Sequence, residues 1–380
     1  MAVAADVEGT MTLDFAEILL AVVRQKASDL HLTAGSPPML RIRGGLVPME
    51  GMPVLTPTDT REIVYAILNS SQRQRLETDW QLDFAYSIPG VGRFRVNAYF
   101  QRGTIGAAFR LIPTETVPIE KLGMPPIVRE FAKKPRGIVL VTGPTGSGKS
   151  TTLASLINEI NETRDEHIMT IEDPIEFLHS HKRCIVNQRE IGADALTFAL
   201  ALKAALRQDP DVILVGEMRD METIGTALTA AETGHLVFAT LHTQDAPQTI
   251  DRIIDVFPPA QQGQVRAQLA IGLQGVVTQT LIPTADGLGR CVGAEVLVPT
   301  PGVRNLIREH KTHQIYSLIQ TGAQHGMQTM DSSLAGLVRA QRITMAAAEA
   351  RSSQPMELRK LVQGDGIGNA SMAPPRGVAA

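Results

Sequence analysis

Residues Gly143-Pro-Thr-Gly-Ser-Gly-Lys-Ser150 constrain the fold more than any other stretch, because they satisfy G-x-x-x-x-G-K-[ST] at every fixed position. The pattern becomes a site only between a buried strand and a helix. Gly137-Ile-Val-Leu-Val-Thr142 reads as a strand buried on both faces, and Thr151 to Ile160 reads as an amphipathic helix. In that setting backbone N–H groups from Thr145 through Gly146, Ser147 and Gly148 to Ser150 converge on phosphate oxygens at a positive helix N-terminus. Lys149 would reach the β- and γ-phosphates and the Ser150 hydroxyl would ligate Mg²⁺. Gly143, Pro144 and Thr151 complete the expected binding set. A plain glycine-rich turn requires neither the Lys149-Ser150 pair nor the flanking elements. The chain is expected to bind a nucleoside triphosphate with Mg²⁺.

The remaining composition bounds the setting. At 380 residues the chain exceeds the size at which single cores stop growing, about 250–300 residues, so two or three domains are expected. A formal charge of −3 argues against a dedicated nucleic-acid binder. Cys184 and Cys291 stand too far apart for a metal-ligand pair, so no structural zinc is expected. No apolar run approaches the ~18–20 residues of a membrane span. Asp6, Glu8 and Asp14 occupy the region where an export signal carries positive charge, which makes the cytoplasm the expected compartment.

Periodicity divides the chain. Residues 1–11 read as a flexible N-terminus, and Phe15, Leu19, Val22 and Val23 recur at helical spacing over 13–27. Leu40 and Ile42 alternate with Arg41 and Arg43 before Gly44-Gly45, a strand entering a hairpin. Thr56-Pro57 opens a helix expected to run to about Leu76. Strict alternation then follows on both sides of Pro89-Gly90-Val91-Gly92, with a third strand over 104–111. Residues 12–112 therefore predict a smaller α+β domain with an antiparallel sheet. A linker is expected at Pro113–Pro118. Beyond it, apolar strands at Ile138–Val141, Ile168–Ile171, Val212–Val215 and Leu236–Ala239 alternate with helices. Residues 119–350 thus predict an α/β domain on a mostly parallel sheet, ending in helices. Residues 351–380 are expected to form a disordered tail, rich in Gly, Ala and Pro after Gly364.

Three further segments end strands of that sheet, where ligands collect in open α/β folds. Thr170-Ile-Glu-Asp-Pro-Ile-Glu176 brings Glu172 and Asp173 out of the second strand, where a carboxylate can polarise water or organise a metal shell. Asp209-Pro-Asp-Val-Ile-Leu-Val-Gly-Glu-Met-Arg-Asp220 has the shape of a Walker B strand, with Gly216 at the usual aspartate position and Glu217 after it. Glu217 could hold Mg²⁺ through water and activate the nucleophile. Gly234-His-Leu-Val-Phe-Ala-Thr-Leu-His-Thr243 brackets a buried strand with His235 and His242, and His242 takes the position of a γ-phosphate sensor.

Taken in this order and spacing, the four segments closely resemble the Walker A, Asp-box, Walker B and His-box set of type II/IV secretion ATPases. Asp29-Leu-His-Leu32, Gly92-Arg-Phe-Arg-Val-Asn97, Asn187-Gln-Arg-Glu190, Ala230-Ala-Glu-Thr-Gly-His235 and Arg304-Asn-Leu-Ile-Arg-Glu309 look like the PilT-type pilus retraction branch. The chain lacks the four cysteines that assembly ATPases of the family typically add, and Gly302-Val303 stands where the branch usually begins Ala-Ile. The resemblance implies a RecA-like P-loop motor domain behind a PAS-like N-terminal domain, assembled as a homohexamer that hydrolyses ATP to power pilus retraction. It places Arg95 and Arg110 on the phosphates as arginine fingers, with Arg93 as a further candidate. It implies hinge motion across Pro113–Pro118 and docking on an inner-membrane platform protein, with a paralogous accessory ATPase as a further partner. Nucleic acid is not expected as a partner. The competing readings are an extension or secretion ATPase, a RecA-type nucleic-acid motor and a non-hydrolysing accessory subunit.

Overall fold

Alternation in the first hundred residues and continuous apolar runs after them give two different sheets. The computed structural model describes residues 14–364. The described residues divide into two compact units, one formed by 14–115 with 174–178, the other by 116–173 with 179–364.

In the first unit the order is α1 (Phe15–Arg24), β1 (Asp29–Leu32), β2 (Met39–Ile42), β3 (Gly45–Pro48), α2 (Pro57–Ala66), α3 (Ser70–Asp79), β4 (Gln81–Ile88), β5 (Gly92–Gln101) and β6 (Thr104–Ile112). The six strands lie in the order β3-β2-β1-β6-β5-β4, every neighbouring pair antiparallel. Arg43-Gly44 and Arg102-Gly103 make the two-residue turns of the β2–β3 and β5–β6 hairpins, both residues at positive φ as the twist of a tight hairpin demands. Phe94, Val96 and Ala98 of β5 and Ile105, Ala107 and Phe109 of β6 share the core face with Ile18, Leu19 and Val22 of α1. The helix expected from Thr56 to Leu76 is instead two helices. Asn69 starts the second one: its side chain accepts from the Gln72 N–H at 2.9 Å and its own N–H donates to Gln72 Oε1 at 3.0 Å, a reciprocal cap.

In the second unit, α4 (Ile127–Glu130), β7 (Gly137–Thr142), α5 (Lys149–Thr163), β8 (His167–Glu172), β9 (Ile185–Glu190), α6 (Phe198–Ala205), β10 (Val212–Val215), α7 (Met221–Glu232), β11 (Leu236–Leu241), α8 (Ala246–Asp255) and α9 (Pro259–Gly272) precede β12 (Leu273–Pro283) and β13 (Arg290–Leu297). Five helices close it: α10 (Pro301–Arg308), α11 (Ile315–Thr321), α12 (Met330–Arg339), α13 (Met345–Glu349) and α14 (Pro355–Gln363). The sheet order is β13-β12-β7-β11-β10-β8-β9, parallel throughout except the β12–β13 hairpin at one edge. Alternate residues of β7 enter two cores: Ile138 and Leu140 pack with α7, α8 and α9, while Val139 and Val141 pack with α5. That double burial is why these strands read as unbroken apolar runs.

One expectation for the end of the chain is corrected. Residues 355–363 were expected within a disordered tail but form α14, because Leu358, Leu361 and Val362 pack into a small core with Leu334 and Ala335 of α12. Residues 1–11 and 365–380 lie outside the described residues.

Candidate active site

The phosphate loop joins β7 to α5, and three glycines give it its shape. Gly143 (φ +135), Gly146 (φ +79) and Gly148 (φ +90) adopt backbone conformations that side chains disfavour. Gly143 has a second reason, since a Cβ there would lie 2.2 Å from the Gln279 carbonyl oxygen of β12. Lys149 opens α5 and folds back over the loop, its Nζ donating to the Gly143 carbonyl at 2.8 Å and the Pro144 carbonyl at 3.1 Å. Burial lowers the Lys149 pKa from its usual value, and the nearby Glu217 carboxylate works against that shift. Ser150 is exposed at the helix N-terminus, while Ser147 is buried beneath the loop.

Parallel pairing aligns the carboxyl ends of β7, β11, β10 and β8 along one edge, so three of the sequence candidates leave the sheet near the loop. Glu217 follows β10. Arg219 grips it bidentately, Nε to Oε1 and Nη2 to Oε2 at 2.6 Å each, and His242 Nε2 lies 3.3 Å from Oε1. The Arg219 hydrogen bonds outweigh partial burial and hold the Glu217 carboxyl below its usual pKa, with His242 and Lys149 adding to the effect. Gly216 stands at the Walker B aspartate position because β8 passes close. A Cβ there would meet the Ile171 carbonyl at 3.1 Å and the Glu172 Cα at 3.2 Å. Glu172, 8 % exposed, accepts from Thr170 Oγ1 at 2.7 Å and Gln188 Nε2 at 3.1 Å. Its oxygens are therefore oriented by β8 and β9. Asp173, next along, is exposed.

Two groups fall elsewhere. His235 precedes β11, at the opposite end from His242 and about 20 Å of extended chain away. There its Nδ1 lies 3.0 Å from the Ala230 carbonyl near the end of α7. Arg93, Arg95 and Arg110 belong to the first unit. Arg95 and Arg110 are direct cross-strand partners, and Arg110 Nε donates to Asp29 Oδ1 at 2.8 Å. Burial opposes ionisation of Asp29, but hydrogen bonds from Ser28 and Arg110 overcome it and hold the carboxyl below its usual pKa. Side-by-side arginines are costly, and one carboxylate offsets only part of that cost.

Sequence reading assigned no role to Arg219, Gln188 or Gln279. The first two lie inside quoted motifs, and only the fold shows which carboxylates they hold. Gln279 lies on a strand whose apolar run is interrupted by Thr278, Gln279 and Thr280, all buried.

Residues 5–362 match the family described as type II/IV secretion system protein. The chain belongs to that family. It is 51% identical over 343 residues to the type IV pilus retraction ATPase PilT of Pseudomonas aeruginosa, covering 90% of this chain and 99% of that one. It is 52% identical over 333 residues to a twitching motility protein of Neisseria gonorrhoeae, covering 86% and 89%. A crystal structure of the pilus retraction motor PilT with bound ADP superposes with a TM-score of 0.84 at 51% identity, covering 92% of this chain and 99% of that one. Within this secretion-ATPase frame, no group of three or more His, Cys, Asp or Glu side chains among the described residues could hold a metal by itself. Mg²⁺ suits such a site nonetheless, because it commonly binds through phosphate oxygens, waters and only one or two protein groups. The exposed Ser150 hydroxyl and the Glu217 carboxylate, held below its usual pKa, are oxygen groups of the kind that would suit such a role.

Proposed function

We propose that this protein is an ATP-hydrolysing motor that powers type IV pilus retraction. The observation that carries this reading is the near full-length likeness to a pilus retraction ATPase, at 51% identity. The local geometry supports hydrolysis. ATP takes its phosphates onto the loop Gly143–Thr151, where Lys149 exchanges two backbone carbonyls for phosphate oxygens. Ser150 and Glu217 would hold Mg²⁺, which when bound would neutralise charge on the phosphates. Glu217 is ionised at neutral pH, so it can orient the attacking water and accept its proton, and His242 beside it senses the γ-phosphate. Glu172 holds the neighbouring strand end in register with Gln188 and helps order the water. Arg95 and Arg110 are assigned to phosphate charge on the family resemblance, with Arg93 behind them.

The assembly proposed is a homohexamer docked on an inner-membrane platform protein, with a paralogous ATPase as an accessory partner. No helix among the described residues is long and apolar enough to cross a membrane. Counting surface pili and scoring twitching in cells that lack the protein tests the direction of work. Excess pili with lost twitching is the expected result. Bald cells would make it an extension ATPase, and unchanged pili would assign it an accessory role or another secretion system.

A further inference from the structure

Gln279 is 1 % exposed, yet its side chain is polar, and one end of its amide is engaged by the phosphate loop and the other by the first turn of α5. The register β12 to β7 pairs Thr278 with Thr142, which brings Gln279 alongside Gly143. Its Nε2 donates to the Ser147 carbonyl at 2.7 Å, and its Oε1 accepts from Thr152 Oγ1 at 2.9 Å. The Ser147 carbonyl can only accept, which fixes the amide nitrogen on that side. Ser147 and Thr152 are each 2 % exposed, so bulk solvent does not compete for these contacts. The same residue shapes the glycines: its carbonyl excludes a side chain at 143, and its Nε2 would lie 3.1 Å from a Cβ at 148.

These contacts bracket the residues proposed to hold the nucleotide. Ser147 and Thr152 lie on either side of Gly148, Lys149, Ser150 and Thr151. An amide that ties 147 to 152 fixes the peptide planes between them before ligand arrives, and donors fixed in advance bind an anion without an ordering cost. We propose that Gln279 is a positioning residue for the phosphate loop, holding it in its anion-binding conformation from the neighbouring strand. The proposal rests on Gly143–Thr151 being the nucleotide site. The support has a backing of its own. Ala294, the partner of Gln279 on β13, accepts from Gln328 Nε2 at 2.7 Å, and its N–H donates to Ser333 Oγ of α12 at 3.1 Å.

The test measures dissociation constants for a fluorescent ATP analogue with Mg²⁺, and the melting temperature without nucleotide, on the full chain. Gln279→Met, which keeps length and removes both hydrogen bonds, is expected to weaken binding about tenfold. Thr152→Val should weaken it about threefold to tenfold while Thr152→Ser, which keeps the hydroxyl, binds like wild type. Combining Gln279→Met with Thr152→Val should cost less than the sum of the two, because both break one bridge. Wild-type affinity in Gln279→Met, whatever its melting temperature, would reduce Gln279 to a core residue and overturn the proposal. Should Gln279→Met fail to fold, equal affinities for Thr152→Val and Thr152→Ser overturn it instead. Lys149→Ala is the control, and binding as tight as wild type there would remove the nucleotide site itself, and this proposal with it.

Discussion

At the carboxyl edge of the parallel sheet, charges come with fixed partners. Lys149 rests on two carbonyls, and Glu217 sits between Arg219 and His242. The antiparallel sheet of the first unit is arranged otherwise. Arg95 and Arg110 stand opposite each other on β5 and β6, and among the described residues Asp29 is the only carboxylate paired with either. A parallel sheet gathers its chemistry at strand ends, where consecutive residues leave together. An antiparallel sheet displays it on a face, where the residues that meet are far apart in sequence. The first arrangement is preorganised, whereas the second keeps a like-charge pair that Asp29 offsets from the Arg110 side.

The largest effect should come from the face. Arg110→Ala and Arg95→Ala are each expected to lower ATP turnover by about 10³-fold or more, the range of arginine fingers. Arg95→Ala should also leave the melting temperature equal or slightly raised, since it removes a like-charge neighbour. Turnover unchanged in both would make them solvated strand residues and break the comparison. At the strand ends, Glu217→Gln should keep nucleotide binding and reduce single-site turnover by about 10²–10³-fold, as loss of a general base does. A fully active variant would move water activation to Glu172.

A third test uses a charge that sits inside the parallel-sheet unit rather than at its edge. Glu295 of β13 is 3 % exposed and accepts from the Ala246 N–H at the start of α8 at 2.8 Å. Burial pushes its pKa from 4.5 up to about 7, the backbone N–H working against that and Asp245 adding to it. The folded protein therefore holds this proton more tightly than the unfolded chain. Its contribution is fully present below about pH 4.5 and is lost as pH rises to about 7. Stability should fall across that window by at most about 3 kcal/mol, and Glu295→Gln should flatten the slope in pH-dependent denaturation. An unchanged slope would show the carboxylate already ionised in the fold. The smallest effect is set by an uncharged site. A Cβ at Gly302 in α10 would meet nothing closer than 3.5 Å, and its φ is not in the left-handed region, so Gly302→Ala should stabilise the chain by about 0.4–1 kcal/mol. Thermal denaturation checks it, and a loss of stability would show that this helix start needs its glycine.

The contrast also explains what the sequence disclosed. Gly143–Ser150, Glu172, Glu217 and His242 were legible because each lies within a contiguous motif at a strand end. The core strands β7, β8, β10 and β11 were legible because both of their faces are buried. β12 and β13 were not, since the buried Thr278, Gln279 and Glu295 break the apolar pattern with groups whose partners lie 136, 127 and 49 residues away in chain. His235 shows what a contiguous motif does not disclose. Its place in a motif suggested chemistry, but a strand has two ends, and only one of them meets the loop. The break at Asn69 was missed because the apolar spacing carries across it, while the cap that creates it depends on the Asn69-Gln72 pair.

The five residues Pro174–Leu178 bear on how such a chain can be inherited. They follow Asp173 directly, group with the first unit, and include Ile175 at 3 % exposure. The polypeptide consequently passes from one unit to the other at Glu115–Thr116, at Asp173–Pro174 and at Leu178–His179. A recombination event at residue 115 would exchange the first unit but leave behind a short piece shaped for the old one. The two halves are therefore not interchangeable modules, and a gene fragment that starts at Thr116 also encodes the five residues that group with the first unit.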